Sequence, residues 1–536
     1  MSTATVSRPA PFSSATEVQS GRRRKASPRR AWQAAPVIAV LLAIIAAALR
    51  LFHITTSYDL FIDEATYAAI ARDTTLGTGP LLHGLPFVVH PPLALLLLAG
   101  PEQVLGTQDV AALVSDMRPF VALVGAITVA VLYLTLHQAG LRKAALAAAA
   151  LVALDPLIIS FDSRVMLEAI AQLFAVVTVA AAIRATNSDS QGRWRWIALT
   201  AVAGAATFGT KETFGLVILA TLIVSALTAA RGQRRPLLQA VLGMLVGYAL
   251  VNVVMIHWAG FALWWHMRTD GLSRLLGHHQ ATGFKAEGVQ GSFWDRVLPN
   301  GAELGATYAI LAIGGLCAIS LLWGVLRRRR SFMDLAPAVT TAVQIVAVWA
   351  VCACGYVAYA VAFGSLEEQM FYIAAAPCAA ALAIRVFLIT QRFQRRLAGA
   401  GLVAILLMQG TAWVTVHTSA DDVYAQMLTQ IPNVASAGST ISVTEETAQF
   451  VLTGYDLGQW VNTPDLAVND VDYVLLSDRL VTLGYGLADQ DFAETVREHG
   501  SLVMTVEGRE NDLQLYDVRG WIDTLEAGAS TSEGAS

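Results

Sequence analysis

Apolar residues run in long blocks along this chain instead of recurring every second or third position, the pattern of segments surrounded largely by lipid. Blocks at 36–51, 119–138, 144–160, 166–183, 196–210, 213–230, 237–257, 303–326, 336–362, 370–390 and 398–417 predict about eleven membrane-spanning helices of ~20 residues each. Two shorter blocks, Ala65 to Ala71 and Leu93 to Gly100, are flanked by polar residues or proline and predict helices lying in the interface. Beyond residue 418 the pattern changes. Thr440 to Thr444, Asp472 to Ser477, Leu502 to Glu507 and Leu513 to Asp517 read as strands, and Glu445 to Leu452 and Gln490 to His499 as helices. Residues 419–522 are thus expected to form a small α/β domain.

The basic residues orient these spans. Arg142 and Lys143, then Arg184, Arg193 and Arg195, then Arg231, Arg234 and Arg235, then Arg327 to Arg330, then Arg392, Arg395 and Arg396 fall on every second connection. A Ser-, Pro- and Arg-rich stretch at 1–33 reads as a disordered basic tail on that same, cytoplasmic side, and 523–536 as a disordered Gly/Ala/Ser tail. The stretch before the first block is too long for a simple signal peptide, so that block is read as a retained span. The membrane domain, 34–418, then has its N-terminus inside. Outer loop 1 (53–117), outer loop 4 (258–302), the turns near Asp162, Lys211 and Glu367, and the α/β domain lie outside.

Composition agrees: 55% hydrophobic and 14% charged residues, with a mean hydropathy of +0.54, exclude a soluble globular protein. A net charge of -4 with no basic patch argues against a nucleic-acid partner. Cys317, Cys352, Cys354 and Cys378 all lie in apolar runs and predict no disulfide framework. Only four of the 36 basic residues are lysines, and with abundant alanine this suggests a GC-rich bacterial genome and a cell (inner) membrane location.

Charged groups at the ends of spans are costly and therefore candidates for function. They gather on the outer side: Asp63, Glu64, His90, Asp155, Asp162, Arg164, Glu168, Lys211, Glu212, Glu367 and Glu368, with Arg268, Arg274, His278 and His279 in outer loop 4. The stretch Phe61-Ile-Asp-Glu-Ala-Thr-Tyr-Ala-Ala-Ile-Ala-Arg72, followed by Gly84-Leu-Pro-Phe-Val-Val-His-Pro-Pro-Leu93, resembles the first outer loop of the family 39 glycosyltransferases of the GT-C fold. That family includes the protein O-mannosyltransferases and the aminoarabinose transferases that modify lipid A. Ser163-Arg164-Val-Met-Leu-Glu168 and Gly209-Thr-Lys211-Glu212 are similar to two further signatures, so the resemblance runs through about the first 230 residues. It implies a GT-C helical bundle. The sequence departs from the lipid A-modifying branch at His90, where a lysine precedes the Pro-Pro pair.

The resemblance implies transfer of a mannose- or arabinose-like sugar from a polyprenyl phosphate held among the membrane lipids to an extracytoplasmic acceptor hydroxyl. Acid–base chemistry then distributes the candidates. A one-step inverting attack needs a carboxylate to take the hydroxyl proton, which points to Asp63. The leaving phosphate gains negative charge and needs a cation, first Arg164, then Lys211 and His90. Glu64 reads as an orienting partner or, with Asp63, as the ligand of a divalent cation such as Mg or Mn. Glu168, Asp162, Asp155 and Glu212 are expected to support. Arg268, Arg274, His278, His279, Glu367 and Glu368 are expected at an acceptor site or lid. Three readings compete: Asp63 as the N-cap of an interfacial helix beginning at Ala65, the whole chain as a transporter or lipid flippase, and a non-catalytic scaffold whose outer domain, in the 420–520 region, binds a partner.

Overall fold

The computed structural model describes residues 28–278, 293–327, 335–363, 369–483 and 486–524. The chain is mainly helical. In order come α1 (Pro28–Leu51), α2 (Ile62–Asp73), a two-stranded hairpin β1 (Leu81–Leu82) and β2 (Leu85–Pro86), α3 (Leu93–Leu105), α4 (Val110–Gln138), α5 (Arg142–Leu154), α6 (Pro156–Asp162), α7 (Leu167–Asn187), α8 (Ser190–Thr210), α9 (Glu212–Thr228), α10 (Arg231–Ala259), α11 (Phe261–Leu275), α12 (Phe293–Val297) and α13 (Gly301–Leu326). There follow α14 (Pro337–Ala362), α15 (Gln369–Phe387), α16 (Arg392–Thr418) and α17 (Val423–Gln430).

A helix stands at each of the eleven apolar blocks. Among the described residues, eight helices are long and apolar enough to cross a membrane, or nine if the pair α5 and α6, bent by 62°, is one span. Helix α8, which opens on Arg193, Trp194 and Arg195, and the 17-residue α9 fall short of that measure. Helix α1 begins at Pro28, inside the stretch expected to be a tail. The two interfacial helices are both present and longer than expected, as α2 and α3.

The break in the third span has a local cause. Pro156 offers no N–H to continue α5, and Asp155 accepts the Ile158 N–H at 3.1 Å as the cap of α6. The same carboxylate accepts from Thr307 Oγ1 at 3.0 Å and Gln409 Nε2 at 3.2 Å, tying the bend to α13 and α16. Asp155 is therefore a helix cap and cross-brace, not a supporting residue of an open site. Asp162 is corrected likewise: it is buried, paired with Arg50 of α1 at 2.8 Å and bonded by the Tyr372 hydroxyl at 2.5 Å. Helix α4 can approach it only because residue 125 is glycine, where a Cβ would collide with the Asp162 carboxylate.

The C-terminal domain is a mixed five-stranded sheet, adding β3 (Thr440–Val443), α18 (Thr447–Val451), β4 (Asp456–Gly458), α19 (Thr463–Val468), β5 (Tyr473–Ser477), α20 (Asp478–Leu483), α21 (Gln490–His499), β6 (Ser501–Val506) and β7 (Leu513–Asp517). Its strand order is β4-β3-β5-β7-β6, with β3 parallel to both neighbours and β7 antiparallel to both of its own. The side chains of β5 alternate between two apolar layers: Tyr473 and Leu475 join Val423, Tyr424 and Met427 on one face, and Val474 and Leu476 join Leu466, Phe492 and Val496 on the other. Leu60 and Ala111 of the membrane domain pack on the first layer, so that face is directed at the loop before α2. The sequence reading missed β4, whose three residues are too few to show an alternating pattern.

Candidate active site

Helix α2 carries the acidic pair. Its first residue is Ile62 and its cap position is Phe61, without a side-chain cap bond, so Asp63 is in the first turn and does not cap a helix starting at Ala65. Successive helix positions diverge by about 100°, and the two acids accordingly part company. Glu64 is fully buried, bonded at Oε2 by Arg118 Nε at 2.9 Å and at Oε1 by Arg118 Nη2 at 2.8 Å, and it accepts the Val165 N–H at 2.9 Å. Arg118 spends its remaining donors on the carbonyls of Ile54, Tyr58 and Asp59, all at 2.9–3.0 Å, so its five N–H groups are satisfied. This bidentate pair fastens α2, the loop before it and the α6–α7 corner to α4. Glu64 is a positioning residue here, not a base or an open metal ligand; its oxygens are already committed. Among the described residues no group of three or more His, Cys, Asp or Glu is placed to hold a metal ion.

Arg164 stands at the α6–α7 corner, its Nε 3.9 Å from Glu64 Oε1 and its Nη1 donating to Ser160 Oγ at 3.1 Å. Its guanidinium lies 5.0 Å from the centroid of the Tyr58 ring. The other amino group donates to Glu510, which arrives from the turn between β6 and β7. Burial works against the Arg164 charge, but Glu510 and Glu64 outweigh it and hold its pKa above the ordinary guanidinium value. Arg164 is braced by a carboxylate from each domain and by Ser160, so it is corrected from first-choice phosphate clamp to a link between the two domains.

A second set of cations gathers around His90. One turn on from Asp63 is Tyr67, whose ring meets His90 edge-on at 5.9 Å. Burial first, and then Lys211, Arg268 and Arg274, push the His90 pKa down to about 3. The imidazole is therefore neutral, which corrects its expected part as a cationic phosphate partner. Lys211, between α8 and α9, donates to Glu168 and, at 2.6 Å, to Gln369. Arg268 of α11 pairs with Glu212 at 2.5 Å and donates to the Val88 carbonyl at 2.8 Å, leaving its Nε buried without a partner. Glu168 Oε2, both polar atoms of Gln172 one turn below it, and Thr210 Oγ1 are also buried with no partner among the described residues. Such atoms mark a place for a polar ligand or water.

An apolar cavity of about 370 Å³ lies between α3, α8 and α10, lined by Pro92, Leu93 and Leu96, Ala205 and Ala206, and Leu250, Val251, Val254 and Trp258. Pro92 follows His90 by two residues, and Ala206 precedes Lys211 by little more than one turn of α8. The groove thus lies on the flank of α3, α8 and α10, with His90 and Lys211 close to its lining residues in the chain.

His278 is exposed at the end of α11, away from the buried groups, while His279, Glu367 and Glu368 lie outside the described residues. Sequence reasoning missed Arg118, which stands just before the apolar block at 119–138, and also Glu510. Only Arg118 carried a signal, a guanidinium inside an apolar helix. For His90 the sign of its acid response is fixed. Between pH 6.5 and 3 the unfolded chain binds a proton that folded His90 refuses, so its contribution to stability is complete above about 6.5 and is lost as pH falls. His90→Gln should accordingly show a smaller drop in Tm from pH 7 to pH 5 than the parent, and an equal drop would contradict the neutral imidazole.

Residues 40–272 match the profile of the family described as dolichyl-phosphate-mannose-protein mannosyltransferase. Among solved structures, ArnT from Cupriavidus metallidurans bound to undecaprenyl phosphate is similar over 89% of this chain and 97% of its own, at 14% identity and a TM-score of 0.54. The archaeal oligosaccharyltransferase AglB from Archaeoglobus fulgidus, in complex with an inhibitory peptide and a dolichol-phosphate, is similar over 92% of this chain and 75% of its own, at 12% identity and a TM-score of 0.59. No curated protein sequence matches. At these identities the structural likeness shows the fold, a GT-C helical bundle with an added domain.

Proposed function

Starting from a chain that is a family 39-like glycosyltransferase of the GT-C fold, we propose that it moves a mannose- or arabinose-like sugar from a polyprenyl phosphate to an acceptor hydroxyl on the extracytoplasmic face of a bacterial cell membrane. The observation that carries this reading is the apolar groove between α3, α8 and α10, whose lining residues Pro92 and Ala206 stand close in sequence to His90 and Lys211, together with the Lys211 and Arg268 charges that act on His90. An isoprenoid chain fits a groove with no polar lining, and its phosphate would exchange for the carboxylates that now hold Lys211 and Arg268. The similar structures bound to undecaprenyl phosphate and dolichol-phosphate support that donor class.

The mechanism is then a single displacement. The acceptor oxygen attacks the anomeric carbon, Asp63 takes its proton, and the sugar–phosphate bond breaks with inversion. The departing phosphate gains one negative charge, which Lys211 and Arg268 offset, while neutral His90 offers a hydrogen bond without adding charge. Glu168, Gln172 and Thr210 have unpaired polar atoms suited to sugar hydroxyls. Glu212 orients Arg268.

The test is turnover of mannosyl- and arabinosyl-decaprenyl phosphate by the purified protein, followed as release of decaprenyl phosphate. Lys211→Ala and Arg268→Ala should each weaken binding of decaprenyl phosphate by about tenfold or more, since each removes a charge-assisted contact worth roughly 1.5–3 kcal/mol. Sugar transfer from a nucleotide sugar in the absence of any lipid phosphate would overturn the donor class. Unchanged lipid binding in both variants would remove this cluster as the phosphate site.

A further inference from the structure

The turn joining β6 to β7 is fastened to the membrane domain at several points. Arg509 donates to the carbonyls of Ser57 at 2.7 Å and Val416 at 3.1 Å, and its guanidinium lies 5.7 Å from the centroid of the Tyr58 ring that Arg164 also faces. Asp421, buried at the start of the C-terminal domain, accepts the Arg509 N–H at 2.8 Å, and its own N–H donates to the Thr56 carbonyl at 2.7 Å. On the neighbouring strand of contacts, the Tyr424 N–H donates to Asp59 at 3.2 Å. The turn therefore has a fixed seat against the loop before α2. That seat determines where residue 510 points.

From it, charges alternate inward. Glu510 meets Arg164, Arg164 faces Glu64, and Glu64 meets Arg118. Burial disfavours the Glu510 carboxylate, but Arg164 and Arg509 outweigh it and hold its pKa below the ordinary glutamate value. Glu510 is thus ionised at neutral pH and balances an arginine that would otherwise draw Glu64 out of its pair with Arg118. Glu64 is the residue next to Asp63 in the first turn of α2. We propose that Glu510 of the C-terminal domain is a positioning residue for Asp63, acting through Arg164 and Glu64, so that the catalytic site of the membrane domain depends on a carboxylate supplied by the domain appended to it. The inference rests on the proposed function for the part Asp63 plays, but the placement of α2 is testable without any substrate.

The experiment uses the full chain in detergent, comparing Glu510→Gln and Glu510→Asp with the parent and with Asp478→Asn, which breaks an exposed ion pair to Arg497 in the same domain. Hydrogen exchange of the peptide covering residues 62–73 should be several-fold faster in Glu510→Gln and unchanged in Asp478→Asn, with exchange of α13 to α15 equal in all. Unaltered exchange of that peptide in Glu510→Gln overturns the proposal whether or not a substrate has been found. With an accepted donor, Glu510→Gln should lower kcat by about tenfold to a hundredfold, the scale of a slightly misplaced base, with KM for the donor within about a factor of two. Glu510→Asp, which keeps the charge, should recover part of kcat. A rise in KM with kcat retained would instead make Glu510 part of a binding surface and overturn the positioning role. If Asp63→Asn transfers sugar normally while Glu510→Gln still loosens α2, the base assignment has failed and the coupling between domains has not.

Discussion

Asp63→Asn is expected to lower kcat by about 10²–10⁴ while leaving the Kd for decaprenyl phosphate unchanged. The amide is nearly isosteric with the carboxylate and keeps one acceptor oxygen, so it preserves the shape of the site, but it cannot take the proton of an attacking hydroxyl. Magnitude separates this from the structural alternative. An acid in the first turn of a helix contributes only about 0.3–1 kcal/mol through the helix dipole, enough to move a melting temperature slightly and far too little to remove two or more decades of turnover. Since α2 starts at Ile62 and its cap position is Phe61, Asp63 does not occupy the cap position. Rates from single-turnover experiments, with lipid binding measured separately, decide the matter. Undiminished turnover in the variant would eliminate Asp63 as the base.

Arg118→Ala should have the largest effect on the fold itself. It strands a fully buried Glu64 carboxylate and frees three carbonyls of the loop that precedes α2. Removing one member of such a pair costs about 3–5 kcal/mol, a large fraction of the stability of an ordinary domain. We expect a sharp loss of monodisperse protein on size exclusion and a lowered Tm. Glu64→Gln combined with Arg118→Met should be less damaging than Arg118→Ala, because no unpaired charge then remains inside. Equal damage from both would show that the cost lies in the loop carbonyls and not in the buried charge.

The blocks of apolar residues made most of the helices of the bundle legible, because lipid imposes one rule on every residue of a span and the rule leaves a long signal. The acidic pair was legible for a similar reason: Asp63 and Glu64 are conspicuous at the edge of an apolar background. Their division of labour was only partly so. Glu64 reads as secondary, but that it lies back to back with Arg118 depends on where α4 crosses α2, which no local pattern encodes. Arg164 shows the limit most clearly. An arginine at the outer end of a span in a phosphate-using family reads as a clamp, and its carboxylate partner lies 346 residues away, in a turn between strands where an Arg-Glu pair is unremarkable. Asp155 and Asp162 misled for the opposite reason, since their Thr307, Gln409, Arg50 and Tyr372 partners sit inside apolar helices that look uniform from the sequence.

The pairing of Arg50 with Asp162 bears on how the protein is made. Helix α1 ends in a guanidinium whose carboxylate is synthesised 112 residues later, after α2, α3, α4 and α5. Until then Arg50 must stay near the membrane surface, where a long side chain can reach headgroups and water. When α6 arrives, the pair forms beside the bare backbone at Gly125, and Arg50 passes from an interfacial position to full enclosure. A span translated well before its partner is thereby among the later ones to be locked in place, and the bundle closes around a charge that waited at its rim.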